Sequence, residues 1–345
     1  ASAEQLEAHS RLLDTLGGFM ATQAIAVVAR LGVADHIVDE PVSADRLAAE
    51  VGADPDALFR FLRFLSSTGI FTQPAPRCFA HSPMSLCLRS GAPGSLRYLA
   101  MCFGEEHYRA WGDALHSVRT GAPAFSRVFG TPFFNYLEAN PEAGATFNRA
   151  MANTAAARAI PMLAYPWGDV AGTVVDVGGG NGFLLTVILE ANPHLSGVVF
   201  DMADAVSQAR ERIAAAGLAG RCRAVEGSFF DEAPAAGTQV LSQILHDWDD
   251  DDALRILRSC RRSINPDGRL LILEYVVPSG DTPSRAKLLD LHMLVLLGGR
   301  EGTEAQWRVL LERGGFRVSR IFPAARTDLI EAVPIQELCS TGMRV

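Results

Sequence analysis

The sequence predicts an α/β protein: a helical N-terminal part followed by a doubly wound, mostly parallel sheet. Three observations predict it. From about residue 167, short β-rich runs ("TVVDVGGG", "GVVFDM", "CRAVEG", "QVLSQI", "RLLILEY") alternate with helix-length segments. Near-continuous apolar runs of this kind suit strands buried on both faces of a parallel sheet. The first run ends in glycines at 178, 179, 180 and 182, the tight turn that carries a strand into a helix. Before residue 105, by contrast, the apolar residues recur at helical spacing between capping residues.

A chain of 345 residues exceeds one ordinary core. Three regions are expected: a helical N-terminal domain over 1–105, a helical connector over 106–165, and an α/β domain over 166–345. In the first, "SADRLAAEVG" opens on Ser43 as a cap and closes on Gly52. "DPDALFRFLRFLSSTG" opens on Asp54 with Pro55 behind it and closes on Gly69. Two short helices followed by the strand-like "IFTQ" resemble a winged helix. The second helix carries Phe59, Phe61, Leu62, Phe64 and Leu65 against only Arg60 and Arg63, a face suited to another subunit rather than to DNA. The connector is rich in aromatics and methionines, some of which should roof a pocket. The tail "FRVSRIFPAARTDLIEAV" reads as an antiparallel hairpin at the sheet edge.

The composition excludes several classes. A net charge of −8 opposes general affinity for nucleic acid or anionic lipid. The N-terminus shows no secretory signal, and the uncharged run from Thr15 to Ala29 is too short, and too rich in Gly, Thr and Gln, to span a bilayer. Six scattered cysteines (78, 87, 102, 222, 260, 339) contain no C-x-x-C pair, which reads as reduced thiols in a cytoplasmic protein without a zinc site. The single lysine, Lys287, leaves no Gly-Lys pair for a phosphate-binding loop and one poor candidate for a Schiff base.

"VVDVGGGNGFLL" lets a ligand approach backbone amides at Gly178 and Gly180. A dinucleotide fingerprint needs a third small residue where this chain has Phe183, so the turn suits an adenosyl group without pyrophosphate. Asp201 ends the next strand, 19 residues after Gly182, where a carboxylate can accept from both ribose hydroxyls. Ser228 and Phe229, in "EGSFFDEAP", are placed to flank an adenine. A ribose clamp and an adenine slot with no phosphate device point to S-adenosylmethionine.

"VVDVGGGNG", "GSFFDEAP", "HDWDDDDALRILRSC", "LLILEYVVP" and "GGREGTEAQW" follow one another in the order and spacing of the S-adenosylmethionine-dependent small-molecule O-methyltransferases. These include plant caffeic acid and flavonoid enzymes and bacterial enzymes that tailor aromatic antibiotics and phenazines. The chain resembles them over nearly its whole length. The resemblance implies a Rossmann-like class I methyltransferase domain, an N-terminal winged-helix dimerisation domain and a homodimer. It places the general base on His246 and two orienting carboxylates on Glu274 and Glu301. Cofactor positions fall on Gly178, Asp201, Met202, Ser228, Phe229 and Ser242. Plant enzymes usually have Asp at the first of these serines and Lys at the second. Phe147, Met151 and Met293 match substrate-contacting positions; Phe103, Trp111 and Met162 are added from composition and place.

The residues support this chemistry on their own terms. His246 follows the fourth strand and Glu274 ends the fifth, so both reach the carboxyl edge where ligands bind. A phenol has a pKa of about 10 and a histidine about 6.5, so full deprotonation beforehand would cost on the order of 5 kcal/mol. Proton removal in step with methyl transfer avoids that cost, with a glutamate fixing the imidazole tautomer. No metal is required. The run of aspartates at 249–252 is explained by the first turn of a helix, where carboxylates complement the macrodipole. The expected product is S-adenosylhomocysteine and the methylated aromatic. The alternatives are N-methylation, hydroxylation or decarboxylation on the same scaffold, a nicotinamide oxidoreductase, or a winged-helix DNA-binding regulator.

Overall fold

The computed structural model describes residues 2–325 and 327–336; Cys339 lies outside them. The chain divides into two compact units. One comprises the residues up to 114 together with 125–154, the other 115–124 together with the residues from 155 onward. The stretch 106–165, expected as a separate connector, is thus shared out between the two.

In the first unit, helix α1 (Ala3–Leu16) starts at a reciprocal Ser2–Gln5 capping box, and α2 (Gly18–Leu31) follows after Gly17. None of the residues of α1 is buried. The run Ala3–Leu31 is long and apolar enough to cross a membrane by length and composition, although it is broken at Gly17. The uncharged run 15–29 is shorter than this span, which arises because α1 and α2 follow one another directly. Helix α3 (Ala44–Val51) is capped by Ser43, which accepts from the Arg46 amide, and ends at Gly52 with φ of 67°. Helix α4 (Pro55–Ser67) is capped by Asp54 and followed by Gly69 in a left-handed conformation. Strands β1 (Val42–Ser43), β2 (Phe71–Ala75) and β3 (Cys78–His81) form an antiparallel sheet in the order β1-β3-β2. Val28, Leu47, Leu62, Leu65, Phe71 and Phe79 fill the core between these elements. Residues 97–114 and 125–139 add short helical segments. Helix α5 (Pro141–Ala164) belongs to the first unit as far as Thr154 and to the second from Ala155.

The second unit holds the seven-stranded sheet. Strands β4 (Thr173–Val177), β5 (Ser196–Asp201), β6 (Cys222–Glu226), β7 (Ala236–Ser242) and β8 (Ile264–Glu274) are parallel. Strands β9 (Phe316–Phe322) and β10 (Asp328–Pro334) are the antiparallel edge hairpin, and the order is β6-β5-β4-β7-β8-β10-β9. Helices α6 (Phe183–Ala191), α7 (Ala203–Ala215), α8 (Asp250–Ser263), α9 (Arg285–Leu296) and α10 (Glu304–Arg313) complete the unit. Two large apolar clusters form its core, one holding Val175, Leu254, Leu257, Trp307 and Phe316, the other Val174, Leu185, Ile188 and Trp167. The chain winds outward from β4 to β6, then restarts at β7 on the other side of β4. Ligands bind at such a reversal, beyond the carboxyl ends of the strands. The glycine turn and the histidine turn both leave the sheet there.

The aspartate run behaves as a helix start. Asp249 caps α8 by accepting from the Asp252 amide at 2.9 Å, Asp250 to Asp252 occupy the first turn, and Arg261 and Arg262 the last.

Candidate active site

The glycine turn is shaped by left-handed backbone and by close packing at Gly178. Gly178, Gly180 and Gly182 all have positive φ. A β-carbon on Gly178 would lie 2.5 Å from the Cδ1 atom of Ile244, so the cofactor turn packs directly on the histidine turn. Asp201 receives the Gly180 amide on Oδ2 at 2.8 Å and the Met202 amide on Oδ1 at 2.7 Å. Burial raises its carboxyl and these two bonds offset part of that rise. The amides fix the carboxylate's orientation while each oxygen keeps accepting capacity for a hydroxyl. Met202 caps α7 and is exposed; Ser228 and Phe229 follow β6, with Phe229 half-buried against Phe230 and Trp248.

Three segments come together at His246. A short 3₁₀ turn after β7 (Leu245–Asp247) carries the histidine, Glu274 is the last residue of β8, and Glu301 stands in the loop between α9 and α10. His246 Nδ1 lies 2.7 Å from Glu301 Oε1 and 3.4 Å from Glu274 Oε2. Both neighbours of Nδ1 are carboxyl oxygens, so Nδ1 carries a hydrogen, while Nε2, 3.3 Å from Asp247 Oδ1, can accept only when the ring is neutral. Glu274 is fully buried, and its Oε1 accepts from three successive amides, those of Ile244 (3.1 Å), Leu245 (3.0 Å) and His246 (3.4 Å). Glu301 is placed by its own amide, which donates to Asp290 on α9 at 3.0 Å. A β-carbon on Gly299 would overlap the His246 carbonyl, so the loop bearing Glu301 rests on the histidine turn itself.

The electrostatics follow from packing several acids around one base. Burial alone would lower the imidazole, but Glu274, Asp247 and Glu301 outweigh it and hold His246 well above the ordinary histidine value. Burial, with Glu301 and Asp247 beside it, pushes the Glu274 carboxyl up to about 8. Asp247 is also pushed up by burial, to about 6, and its Oδ1 lies 3.3 Å from His246 Nε2. Such a cluster shares its protons and titrates as one group. His246, Glu274 and Glu301 offer ligand atoms within 4.8 Å of one another, close enough for an ion. Nδ1 and Glu301 Oε1 nonetheless face each other directly as donor and acceptor.

Two residues beside this cluster, Asp176 and Arg158, are not among those expected from the sequence. Asp176, inside β4, is 2 % exposed, and neither of its oxygens has a hydrogen-bond partner. Burial, with Asp201 nearby, pushes it up to about 7, opposed by Arg158. Arg158, on α5, donates from Nη1 to Gln243 Oε1 at 2.7 Å, and its desolvated guanidinium lies in the field of Asp176, Glu274 and Asp247. The buried Ser242 hydroxyl likewise has no hydrogen-bond partner. Asp176 was visible inside the glycine motif. Nothing in the local pattern around Arg158 or Asp290 marks either, because both reach the site only through the fold.

The expected pocket residues fall in both units. In the first unit, half-buried Phe103 meets His107 edge-on at 5.4 Å, His107 meets Phe133 at 5.7 Å, and Phe133 meets Phe147 at 5.2 Å. Trp111 and Met151 are half-buried in the same unit. Met293 is buried on α9 of the second unit. Met162 is a correction. It is wholly buried in the core with Tyr165, Trp167 and Val174, and its carbonyl accepts from the Trp167 indole at 2.6 Å. Its place near a junction in sequence suggested a pocket, but a helix face packed on a sheet decides for the core.

Residues 108–317 match the model of the O-methyltransferase domain, and residues 13–90 that of the O-methyltransferase dimerisation domain. A phenazine O-methyltransferase of Lysobacter antibioticus is 44 % identical over 329 residues, which span 94 % of this chain and 96 % of that protein. A phenazine-1-carboxylate N-methyltransferase of Pseudomonas aeruginosa is 34 % identical, covering 92 % of this chain and 94 % of its own. The crystal structure of an O-methyltransferase from neocarzinostatin biosynthesis, in complex with S-adenosylmethionine and 2-hydroxy-5-methyl naphthoic acid, superposes with a TM-score of 0.79. It is 34 % identical and covers 91 % of this chain and 96 % of that one. These matches set aside the oxidoreductase reading. With a glycine turn that lacks the dinucleotide fingerprint, a buried histidine–carboxylate cluster and both domains matched, the chain belongs to the S-adenosylmethionine-dependent O-methyltransferase family.

Proposed function

We propose that this enzyme methylates a hydroxyl of an aromatic secondary metabolite, with His246 as general base and Glu274 and Glu301 as its orienting carboxylates. The observation that carries the reading is the 2.7 Å hydrogen bond between buried His246 Nδ1 and Glu301, beside a Glu274 held by three amides. Relatives that act on phenazine, aminohydroxybenzoate and naphthoate rings support the substrate class.

The buried polar atoms fit the cofactor. Asp201 takes the ribose hydroxyls, Phe229 and Ser228 border the adenine, and Asp176, whose oxygens have no hydrogen-bond partner, takes the ammonium group. Arg158 takes the carboxylate, a role that Ser242, standing where plant relatives have lysine, cannot fill. When bound, S-adenosylmethionine supplies an electrophilic methyl on a positively charged sulfur. His246 accepts the hydroxyl proton at Nε2 as the oxygen begins to attack, and Glu301 stabilises the imidazolium through Nδ1. Phe103, Trp111, Phe147, Met151 and Met293 orient the ring, and alignment of the attacking oxygen supplies much of the remaining rate.

The enzyme works as a homodimer through its N-terminal domain, supported by the dimerisation-domain match and by exposed Leu6, Leu12, Leu13 and Leu16 on α1. A cytoplasmic location is supported by the free thiols of all five described cysteines. A second reading, methylation of an aromatic ring nitrogen, is favoured by the phenazine-1-carboxylate N-methyltransferase relative. Phenols and a phenazine carboxylate assayed side by side separate the two.

The test of the base is His246→Ala. Its affinity for S-adenosylmethionine by calorimetry should stay within a few-fold of wild type, while turnover falls by about two to four orders of magnitude. Wild-type turnover in that variant would remove His246 from the mechanism.

A further inference from the structure

Among the described residues, only Arg77 and Gln243 have positive φ without being glycine. Arg77 sits in the tight turn between β2 and β3. Gln243, at φ of 54°, sits between the end of β7 and the histidine turn, where left-handed backbone is unfavourable for a residue with a β-carbon. Its surroundings hold it there. The Gln243 amide donates to the Leu273 carbonyl at 2.9 Å, and its side-chain oxygen accepts from Arg158 at 2.7 Å. The next residue, Ile244, returns to right-handed geometry with φ of −113° and ψ of −50°. The left-handed torsions of Gln243 redirect the chain from its own amide, which stays on the Leu273 carbonyl, into the right-handed turn that follows, and so set the direction in which that turn's amides face. Here the amides of 244, 245 and 246 converge on Glu274 Oε1.

We infer that Gln243 is a positioning residue for both ends of the site: its left-handed backbone shapes the amide cradle that holds Glu274 beside His246, and its side chain anchors Arg158. The inference rests on the proposed role of Arg158 towards the cofactor's carboxylate. The two roles are separable because one belongs to the backbone and the other to the side chain. Glycine adopts the required φ freely and keeps the cradle while releasing Arg158. Valine, branched at Cβ, opposes the left-handed backbone and disturbs the cradle as well.

The test is steady-state kinetics of Gln243→Gly, Gln243→Val and Arg158→Met, with thermal unfolding to establish that each is folded. Gln243→Gly should raise the KM for S-adenosylmethionine about tenfold while kcat stays within about threefold. Gln243→Val should show the same rise in KM and lose kcat by a further factor of about thirty or more. A Gly variant whose cofactor KM matches wild type, while Arg158→Met raises it, overturns the anchoring role. Wild-type KM in Arg158→Met overturns instead the carboxylate reading on which that role rests. A folded Val variant with the kcat of the Gly variant overturns the cradle role; if Val fails to fold, a large loss of kcat in Gly overturns it equally, since glycine should preserve the cradle.

Discussion

At His246 Nδ1 two carboxyls stand within reach of one hydrogen, Glu301 at 2.7 Å and Glu274 at 3.4 Å. A base surrounded in this way binds its own proton more tightly, so it is free to take one from a phenol only at higher pH. The sign is definite: the His246 value is raised, so the active form is depleted below it and activity should climb as pH rises through it. Glu301→Gln removes one of the charges that raise it while leaving an oxygen to accept from Nδ1. The acid limb of kcat/KM should then move down by about one pH unit, with a slower maximal rate because the imidazolium loses its partner. A pH–rate profile of the two proteins checks this, and an unmoved limb would show that Glu301 does not set the base. The motifs made His246, Glu274 and Glu301 legible because each ends a recognisable strand or loop. The three amides on Glu274 were not legible, because they depend on one left-handed residue that looks like any other glutamine in the sequence.

At the scale of elements, the site is the meeting of three turns with little slack between them. Gly178 lies against Ile244, and Gly299 lies against the His246–Asp247 backbone, so the cofactor turn, the base turn and the carboxylate loop are packed as one piece. Arg300 reinforces this by pairing with Asp250 at the start of α8, the helix that follows the histidine. Gly299→Ala is therefore expected to push the carboxylate loop off the histidine turn. Turnover should fall about a hundredfold or more, as positioning losses of this kind do, while Asp201 and the glycine turn still bind S-adenosylhomocysteine within a few-fold in calorimetry. Normal turnover would mean that the loop moves without disturbing Glu301. The glycine pair was quoted in the sequence as part of a motif, yet its reason was hidden. Gly299 is constrained by a neighbour distant in the chain, and only the fold brings that neighbour close.

For the molecule as a whole, α1 is the feature that one copy does not explain. It is a capped, regular helix with no buried residue, and Leu6, Leu12, Leu13 and Leu16 all face solvent. A helix of this length is marginal alone, and apolar residues gain stability by being covered. Leu12→Asp with Leu13→Asp should convert a dimer into monomer in sedimentation analysis at micromolar concentration; an unchanged mass would place the interface elsewhere. The sequence by itself determined the class of fold, because alternation of apolar strands with helices needs no knowledge of distant neighbours. It also pointed to the proposed cofactor end, since the glycines and Asp201 act through the backbone next to them, and to His246 as the proposed base. Only the tertiary structure decided that Met162 belongs to the core, that the Arg158 guanidinium lies in the field of Asp176, and that Gln243 and Gly299 shape the histidine turn. The physical reason is range. Strand and helix signals and glycine turns are local in the chain, whereas desolvation, buried charge pairing and close backbone approach arise between residues that the sequence keeps far apart.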